Sequence, residues 1–426
     1  MADEVLSAEA RALDQRDALA PLRHRFRLPL APDGRTAVYL CGNSLGPMPV
    51  DAEARVREVL ERWATLGVRG HHAGPAPWTD YHAQFAAPLA RLVGATPAEV
   101  VAMNTLTVNL NLLLVSFYRP TPARHRVLIE RPAFPSDRYA VVSQLRFHGH
   151  APERSLIEVG PRAGEDLLRT EDIVAAIERA GDSLALVLLP GVQYLTGQVL
   201  DVAAITRVAR RHGAIVGWDL AHAVGNVPLA LHDSGADFAV WCHYKYLCAG
   251  PGATAGAFVH ERHARDATLP RFAGWWGHDA ATRFQMRPDF VPMAGADGWQ
   301  QSNPPVLALA PLGAALDVFD AAGLAALRAK SLALTAFARR QLAARLGARV
   351  TVITPAADAE RGCQLSLRIA AGAAAGRRAF ADLTARGVIG DWREPDVIRL
   401  APAPLYNSFA EVERAVAALD AALAPS

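Results

Sequence analysis

The chain has 426 residues and a net charge of +2, from 44 Lys and Arg against 42 Asp and Glu. That balance offers no basic stripe for nucleic acid and no charged face for a membrane surface. Hydrophobic residues make up 51% and charged residues 20%, the composition of a soluble globular protein long enough for two domains.

Asp3 and Glu4 interrupt any apolar leader core, and no apolar run nears the roughly 18–20 residues of a membrane span. The expected location is the cytoplasm. Cys41, Cys242, Cys248 and Cys363 are too sparse for a disulfide framework and are expected to be buried, reduced thiols.

In chain order, residues 51–66 predict a helix with Ala52, Val56, Leu60 and Trp63 on one face. Residues 100–103 read as a short strand that passes through Asn104 and Thr105 into a helical apolar run. Strand and helix signals then alternate: strands at 127–129, 156–159, 184–189 and 214–220, with helices at 136–147, around Ile173 and Ile177, and around Ile205 and Val208. Further short strands are expected at 238–242 and 257–259. This alternation predicts an α/β fold with a mostly parallel sheet, whose ligand sits at the carboxyl ends of the strands. After residue 305 the pattern changes to long Ala/Leu-rich helices over 306–346, broken near Gly323. Strands near 349–353, 365–369 and 397–400 follow, and a closing helix runs from 409. Residues 371–375 read as an Ala/Gly turn. The expected organisation is an N-terminal segment, 1–50, packing with a smaller α+β domain, 306–426, beside a large domain, 51–305.

The strongest chemical signal is a pair. Asp219 ends the strand Ile215-Val216-Gly217-Trp218, and Lys245 follows the strand Phe238-Ala239-Val240-Trp241, so both fall at one sheet edge. Pyridoxal phosphate (PLP) needs such a pair: a carboxylate that keeps its ring nitrogen protonated, and a lysine amine that condenses with its aldehyde. The 104–107 segment offers hydroxyls and a helix N-terminus for its phosphate. Each part alone has a simpler reading, since a strand-end Asp often caps a turn and a lone Lys is often solvated. Gly250-Pro251-Gly252 lacks the spacing of a dinucleotide fingerprint. The His71-His72 pair, and His148 with His150, lack metal-ligand spacing, and no metal site is expected.

A series of motifs runs through most of the chain: YLCGNSLG at 39–46, NTLTVN at 104–109, FPSD at 134–137, GVQYLTG at 191–197 and WDLAH at 218–222. YKYL at 244–247, GWWGH at 274–278, SNPP at 302–305 and RLAPAPLYNSF at 399–409 complete it. Together they resemble the kynureninase family, in the fold-type-I, aminotransferase class V group of PLP enzymes. The resemblance is weaker over the first 30 residues and over 355–390.

The resemblance implies a large domain built on a sheet of the seven-stranded type. It implies hydrolysis of L-kynurenine, its 3-hydroxy derivative, or both, to anthranilate or 3-hydroxyanthranilate plus L-alanine. It further implies a homodimer with shared active sites. The same site would serve tryptophan catabolism, NAD synthesis or secondary metabolism. On this sequence it makes Lys245 the cofactor-linked lysine. Asp219 partners the ring nitrogen, and His222 supports it from the next helical turn. Phe134 stacks on the ring, with Asp137 beside the cofactor. Leu106, Thr107 and Tyr244 hold the phosphate, Tyr244 also being the candidate proton shuttle. Trp275 and Asn303 reach across from the partner subunit. Arg399 grips the substrate carboxylate, while Ser44, His71, Ser302 and Asn303 face the substrate, in a pattern leaning toward the 3-hydroxy form. The alternatives are another class V enzyme such as a cysteine desulfurase, or a PLP-fold binding protein without turnover. A desulfurase needs a nucleophilic cysteine on a mobile loop, which none of the four thiols supplies. A binding protein that had lost turnover is expected to lack Lys245, Asp219 or Arg399, and all three are present.

Overall fold

The computed structural model describes residues 7–424; Asp3 and Glu4 lie outside the described residues. A sheet of seven strands forms the centre: β1 (Val100–Met103), β2 (Arg126–Glu130), β3 (Leu156–Val159), β4 (Leu184–Pro190), β5 (Ile215–Asp219), β6 (Phe238–Cys242) and β7 (Ala255–Val259). Their spatial order is β1-β7-β6-β5-β4-β2-β3. Pairing is parallel from β6 through β3, while β7 runs antiparallel to both β6 and β1. The sheet is therefore mixed. Strand β4 is buried at every position, as a central strand covered by helices on both faces must be.

Helix α1 (Ala8–Gln15) packs on the C-terminal core, and the helices that cover the large sheet include α2 (Ala52–Leu66), α3 (Leu106–Phe117), α4 (Pro135–Phe147), α5 (Thr170–Ala180) and α6 (Val202–Arg211). Helix α2 spans the predicted residues, and Ala52 and Val56 face inward as expected, but the second half of the predicted face does not. Val59 is buried, whereas Leu60 and Trp63 are 45% and 60% exposed. Helix α7 (Val306–Ala322) packs along α2 and adds Leu309, Leu312, Leu316 and Phe319 to the core of the large sheet. Gly323, with φ +75°, separates α7 from α8 (Leu324–Leu346).

A second core forms around four short strands: β8 (Val350–Val352), β9 (Leu365–Ile369), β10 (Asp391–Arg393) and β11 (Val397–Leu400), in the order β8-β9-β11-β10. Helices α8, α9 (Ala373–Ala385) and α10 (Phe409–Ala422) cover it. The 371–375 segment differs from the expected turn. Gly372, at φ +88°, turns the chain, and the Ala run after it opens α9, as its high helix propensity favours. Ala10, Val38 and Leu40 of the N-terminal segment enter this second core, and Val38–Tyr39 pairs in parallel with Val388–Ile389. No single helix among the described residues is long and apolar enough to cross a membrane. The helices starting at Val306 and Leu324 pass such a test only as a pair bent by 82°, by length and composition alone.

Candidate active site

Parallel strands end together, and their carboxyl ends here converge on one cavity. It is lined by Leu106, Thr107, Glu130, Phe134, Ser136, Asp137, Pro190, Val192, Tyr194, Asp219, Ala221, His222, Tyr244 and Lys245. Strand β5 delivers Asp219 and its neighbour β6 leads to Lys245. Asp219 is buried, and its Oδ1 accepts the Ala221 amide at 2.7 Å, which fixes the carboxylate at the strand end. The residues after it form a run of tight turns rather than the helical turn expected for His222. Asn226 holds that run by donating from Nδ2 to the His222 carbonyl at 2.9 Å.

Lys245 sits where the chain leaves β6 and turns back. Cys248 in the left-handed region (φ +54°) and a bond from its amide to the Lys245 carbonyl close the turn. The N-terminal segment locks it from outside: the Gly46 amide donates to the Tyr244 carbonyl at 2.8 Å. A Cβ on Gly46 would lie 2.4 Å from the Lys245 carbonyl oxygen and 2.5 Å from Cys248 Sγ, so this approach requires glycine. The Lys245 Nζ lies 5.8 Å from the Phe134 ring centre and 6.0 Å from that of Tyr244.

Two helix N-termini face the same space. Helix α3 begins at Leu106 with no side-chain cap on its first amides, while α4 begins at Pro135, which has no N–H, and its Asp137 and Arg138 amides bond the Phe134 carbonyl. Free amides and the helix dipole make an uncapped start such as that of α3 an anion site. Thr107 Oγ1 and Ser136 Oγ, 2.7 Å apart, tie the two starts together.

The electrostatics of the cavity floor are acidic. Burial, then the charge and hydrogen bond of Asp219, push Asp137 well above the usual carboxylate range. Burial pushes Glu130 up to about 8, and the Asp219 charge adds to the shift. Burial, reinforced by the Lys245 charge, holds His222 well below its ordinary value, so the imidazole is neutral. Burial also raises the Tyr244 hydroxyl, which keeps its proton at neutral pH. Asp137 Oδ1 and His222 Nδ1 are buried without a partner among the described residues. Buried polar atoms left in this state point to a ligand that completes them.

Eight of the expected residues thus share one cavity: Leu106, Thr107, Phe134, Asp137, Asp219, His222, Tyr244 and Lys245. Arg399 does not line it. The guanidinium is fully buried behind Tyr194, bonded to the Tyr194 carbonyl and to Asp391 at 2.6 Å each. Ser44, His71, Trp275, Ser302 and Asn303 lie outside the cavity of their own chain. Trp275 is 45% exposed, and Ser302 and Asn303 are exposed. His71 stands edge-on to Trp78 at 5.5 Å. Glu130, Ser136 and Tyr194 were not singled out from the sequence. Ser136 and Tyr194 lay inside the quoted motifs, and Glu130 is a lone charge ending an apolar strand.

Two other features are set apart by their chemistry. A larger cleft of about 1080 Å³ opens between residues 165–171, 198–203 and 351–353, but it holds no Lys, Cys or His, and Glu165 and Asp166 are paired with Arg169 and Arg368. Glu99, His232 and His260 bring their ligand atoms within 4.8 Å of one another, a grouping that the sequence spacing hid. The Glu99 carboxylate there already accepts from the Thr96 amide and hydroxyl, the Glu261 amide and His232, which makes it a buried ion-paired cap.

A family profile, the kynureninase C-terminal domain, matches residues 327–419. The kynureninase of Stenotrophomonas maltophilia (strain K279a) is 56% identical over 421 residues, 99% of each chain. That of Xanthomonas oryzae pv. oryzae (strain PXO99A) is 58% identical over the same length and coverage. The chain belongs to the kynureninase family.

Kynureninase membership accords with the solved folds it resembles. A mutant of the cystine C-S lyase C-DES, with glycine covalently linked to its PLP cofactor, superposes with a TM-score of 0.77 at 19% identity, covering 93% of this chain and 98% of that one. The cysteine desulfurase CsdA of Escherichia coli gives 0.75 at 18%, covering 95% and 98%. At such identities the likeness establishes the fold alone, PLP fold type I. The cavity fits the kynureninase cofactor. It offers a lysine amine for the aldehyde, a buried carboxylate for the ring nitrogen, an aromatic face, and the uncapped start of α3 with the Thr107 and Ser136 hydroxyls for the phosphate. All four Cys among the described residues are buried and free, and the Cys41, Cys242, Cys248 and Cys363 thiols are all raised by burial, unlike a desulfurase nucleophile.

Proposed function

We propose that this chain hydrolyses the Cβ–Cγ bond of L-kynurenine, of 3-hydroxy-L-kynurenine, or of both, releasing anthranilate or 3-hydroxyanthranilate and L-alanine. The observation that carries the reading is the meeting of Lys245, Asp219, Phe134 and the starts of α3 and α4 in one cavity, in a chain of this family. PLP, when bound, supplies an aldehyde that joins amines and a ring that takes up electron density.

The protein supplies everything else. Asp219 holds the proton on the ring nitrogen, and protonated Asp137 donates to Asp219 and restrains it. Phe134 covers one ring face. The first amides of α3 at Leu106 and Thr107, with the Thr107 and Ser136 hydroxyls and Tyr244, would take the phosphate. Lys245 would hold the cofactor, and its amine, once free, would take up the substrate α-proton and give it back. Tyr244 keeps its hydroxyl proton at neutral pH and delivers it to the γ-oxygen or to Cβ. Arg399 binds the substrate carboxylate, whose two oxygens match the guanidinium fork.

Trp275 and Asn303 serve the site of a second subunit, so the working unit is a homodimer. What supports this is that both residues are surface-facing, with a neighbouring apolar rim of Phe272 and Phe284. The substrate leaning is to the 3-hydroxy form, with His71 and Asn303 facing the ring and Ser44 and Ser302 beside them.

The test is direct. Purified protein should be yellow and should convert kynurenine to equal amounts of anthranilate and alanine. Borohydride should fix the cofactor to Lys245. A label on another lysine, or a yellow protein inert to both substrates, rejects the reading.

A further inference from the structure

We propose that Asp391 is a positioning residue for the substrate carboxylate, acting by holding Arg399 in place. The proposal rests on Arg399 being the carboxylate site. Asp391 of β10 and Arg399 of β11 are direct cross-strand partners. Their side chains meet at 2.6 Å, Nη2 to Oδ2, with both residues buried. Arg399 Nη1 donates to the Tyr194 carbonyl, also at 2.6 Å. Tyr194 lines the cofactor cavity, with its ring 5.4 Å from that of Phe134, so this carbonyl ties the guanidinium to the cavity wall.

A guanidinium carries five N–H donors. Two are engaged by Asp391 and Tyr194, while Nε is buried without a partner among the described residues. Arg283 and Arg361 also carry a buried, unpartnered Nε–H, so what distinguishes Arg399 is its bond to Tyr194, a residue of the cavity wall. The unpaired edge is what a carboxylate brought in by a ligand would fill. Burial works against the charged form of Arg399, and Asp391 works for it. Removing one partner of such a buried pair leaves the other charge uncompensated and free to reorient.

Asp391 is itself held. Arg393 donates from Nη2 to Oδ2 and approaches Oδ1 with Nε, each at 3.0 Å. Arg393 is about one-third exposed, which places it on the solvent side of the pair. The carboxylate is thus fixed from outside by one arginine and fixes the buried arginine on the other side. Two cations against one carboxylate leave a net positive charge, which a substrate carboxylate neutralises.

The test uses the full-length holoenzyme and the variants Asp391→Asn, Arg399→Lys and the double. Asp391→Asn should raise the KM for L-kynurenine by about tenfold, the scale of one charge-assisted hydrogen bond, and change kcat by less than about threefold. The double variant should have the KM of Arg399→Lys alone, because Asp391 acts only through Arg399. A second readout is cofactor absorbance on titration with L-alanine and with L-alaninamide, which lacks the carboxylate. Asp391→Asn should weaken alanine and leave alaninamide unchanged, whereas a merely structural defect weakens both. Multiplying KM effects in the double variant, or equal loss for both titrants, overturns the proposal. An unchanged KM in Arg399→Lys would instead remove Arg399 as the carboxylate site, and Asp391 with it. Should Asp391→Asn fail to fold, Asp391→Glu retains the charge on a longer arm. It should still weaken alanine selectively, and failure to do so overturns the proposal.

Discussion

Replacing Asp219 by Asn isolates the charge at the cofactor's ring nitrogen. The exchange keeps the shape and keeps Oδ1 as acceptor for the Ala221 amide at 2.7 Å, so the turn after β5 should stand. What disappears is one buried, charge-assisted hydrogen bond, worth about 1.5–3 kcal/mol. At 1.4 kcal/mol per decade this corresponds to a rise of about 10- to 150-fold in the dissociation constant for PLP. The catalytic loss at saturating PLP should be larger, about 10²–10³ in kcat, the scale seen when one preorganised electrostatic partner is removed. Asp137 limits the damage without cancelling it. Its carboxyl is held up by burial and by Asp219, so loss of the Asp219 charge lets it ionise more readily and stand in at a poorer position. The assay is titration of apo-protein with PLP by absorbance, followed by steady-state kinetics at saturating cofactor. A variant within threefold of the parent on both counts refutes the ring-nitrogen role.

Three further outcomes are expected, the second resting on the family resemblance. Gly46→Ala drives a Cβ against the Lys245 carbonyl and Cys248 and should lower stability by about 1–3 kcal/mol through overpacking; it should also weaken cofactor retention, and a denaturant midpoint and PLP affinity both equal to the parent's would contradict the lock described above. The parent should show a higher kcat/KM for 3-hydroxykynurenine than for kynurenine, and His71→Trp with Asn303→Thr should move the ratio toward kynurenine, because a site built to bond a hydroxyl penalises its absence; a parent preference for plain kynurenine refutes it. Burial pushes Asp237 up, but bonds from His263, Arg262 and the Val216 amide outweigh it and hold the carboxyl below its ordinary 3.8. Its stabilisation is therefore complete above that value and lost as pH falls through the lowered one; Asp237→Asn should flatten the acid-unfolding curve below about pH 4, and an unchanged acid limb would show that another group controls it.

The alternation of strands and helices was legible in the sequence because buried parallel strands must be short apolar runs and their crossovers must be amphipathic helices. Asp219 and Lys245 were legible for a related reason: a charged residue at the end of an apolar strand has little choice but the carboxyl edge. Helix α9 was hidden because Ala and Gly at 371–375 satisfy both a turn and a helix start, and only the turn at Gly372 decides. The inward face of α2 was legible only in its first half, at Ala52 and Val56. Leu60 and Val59 are equally apolar, and the packing of α7 along the helix selects Val59.

By itself, the sequence determined the fold class, the PLP chemistry and the family, since these rest on local pattern and on motifs that survive without knowledge of contacts. Only the tertiary structure decided which acids meet. Glu130, Asp137 and Asp219 come from three separate segments of the chain and become one acidic floor. It alone showed Arg399 withdrawn behind Tyr194 and paired to Asp391, because strand register and burial, not residue identity, decide which groups a buried charge meets.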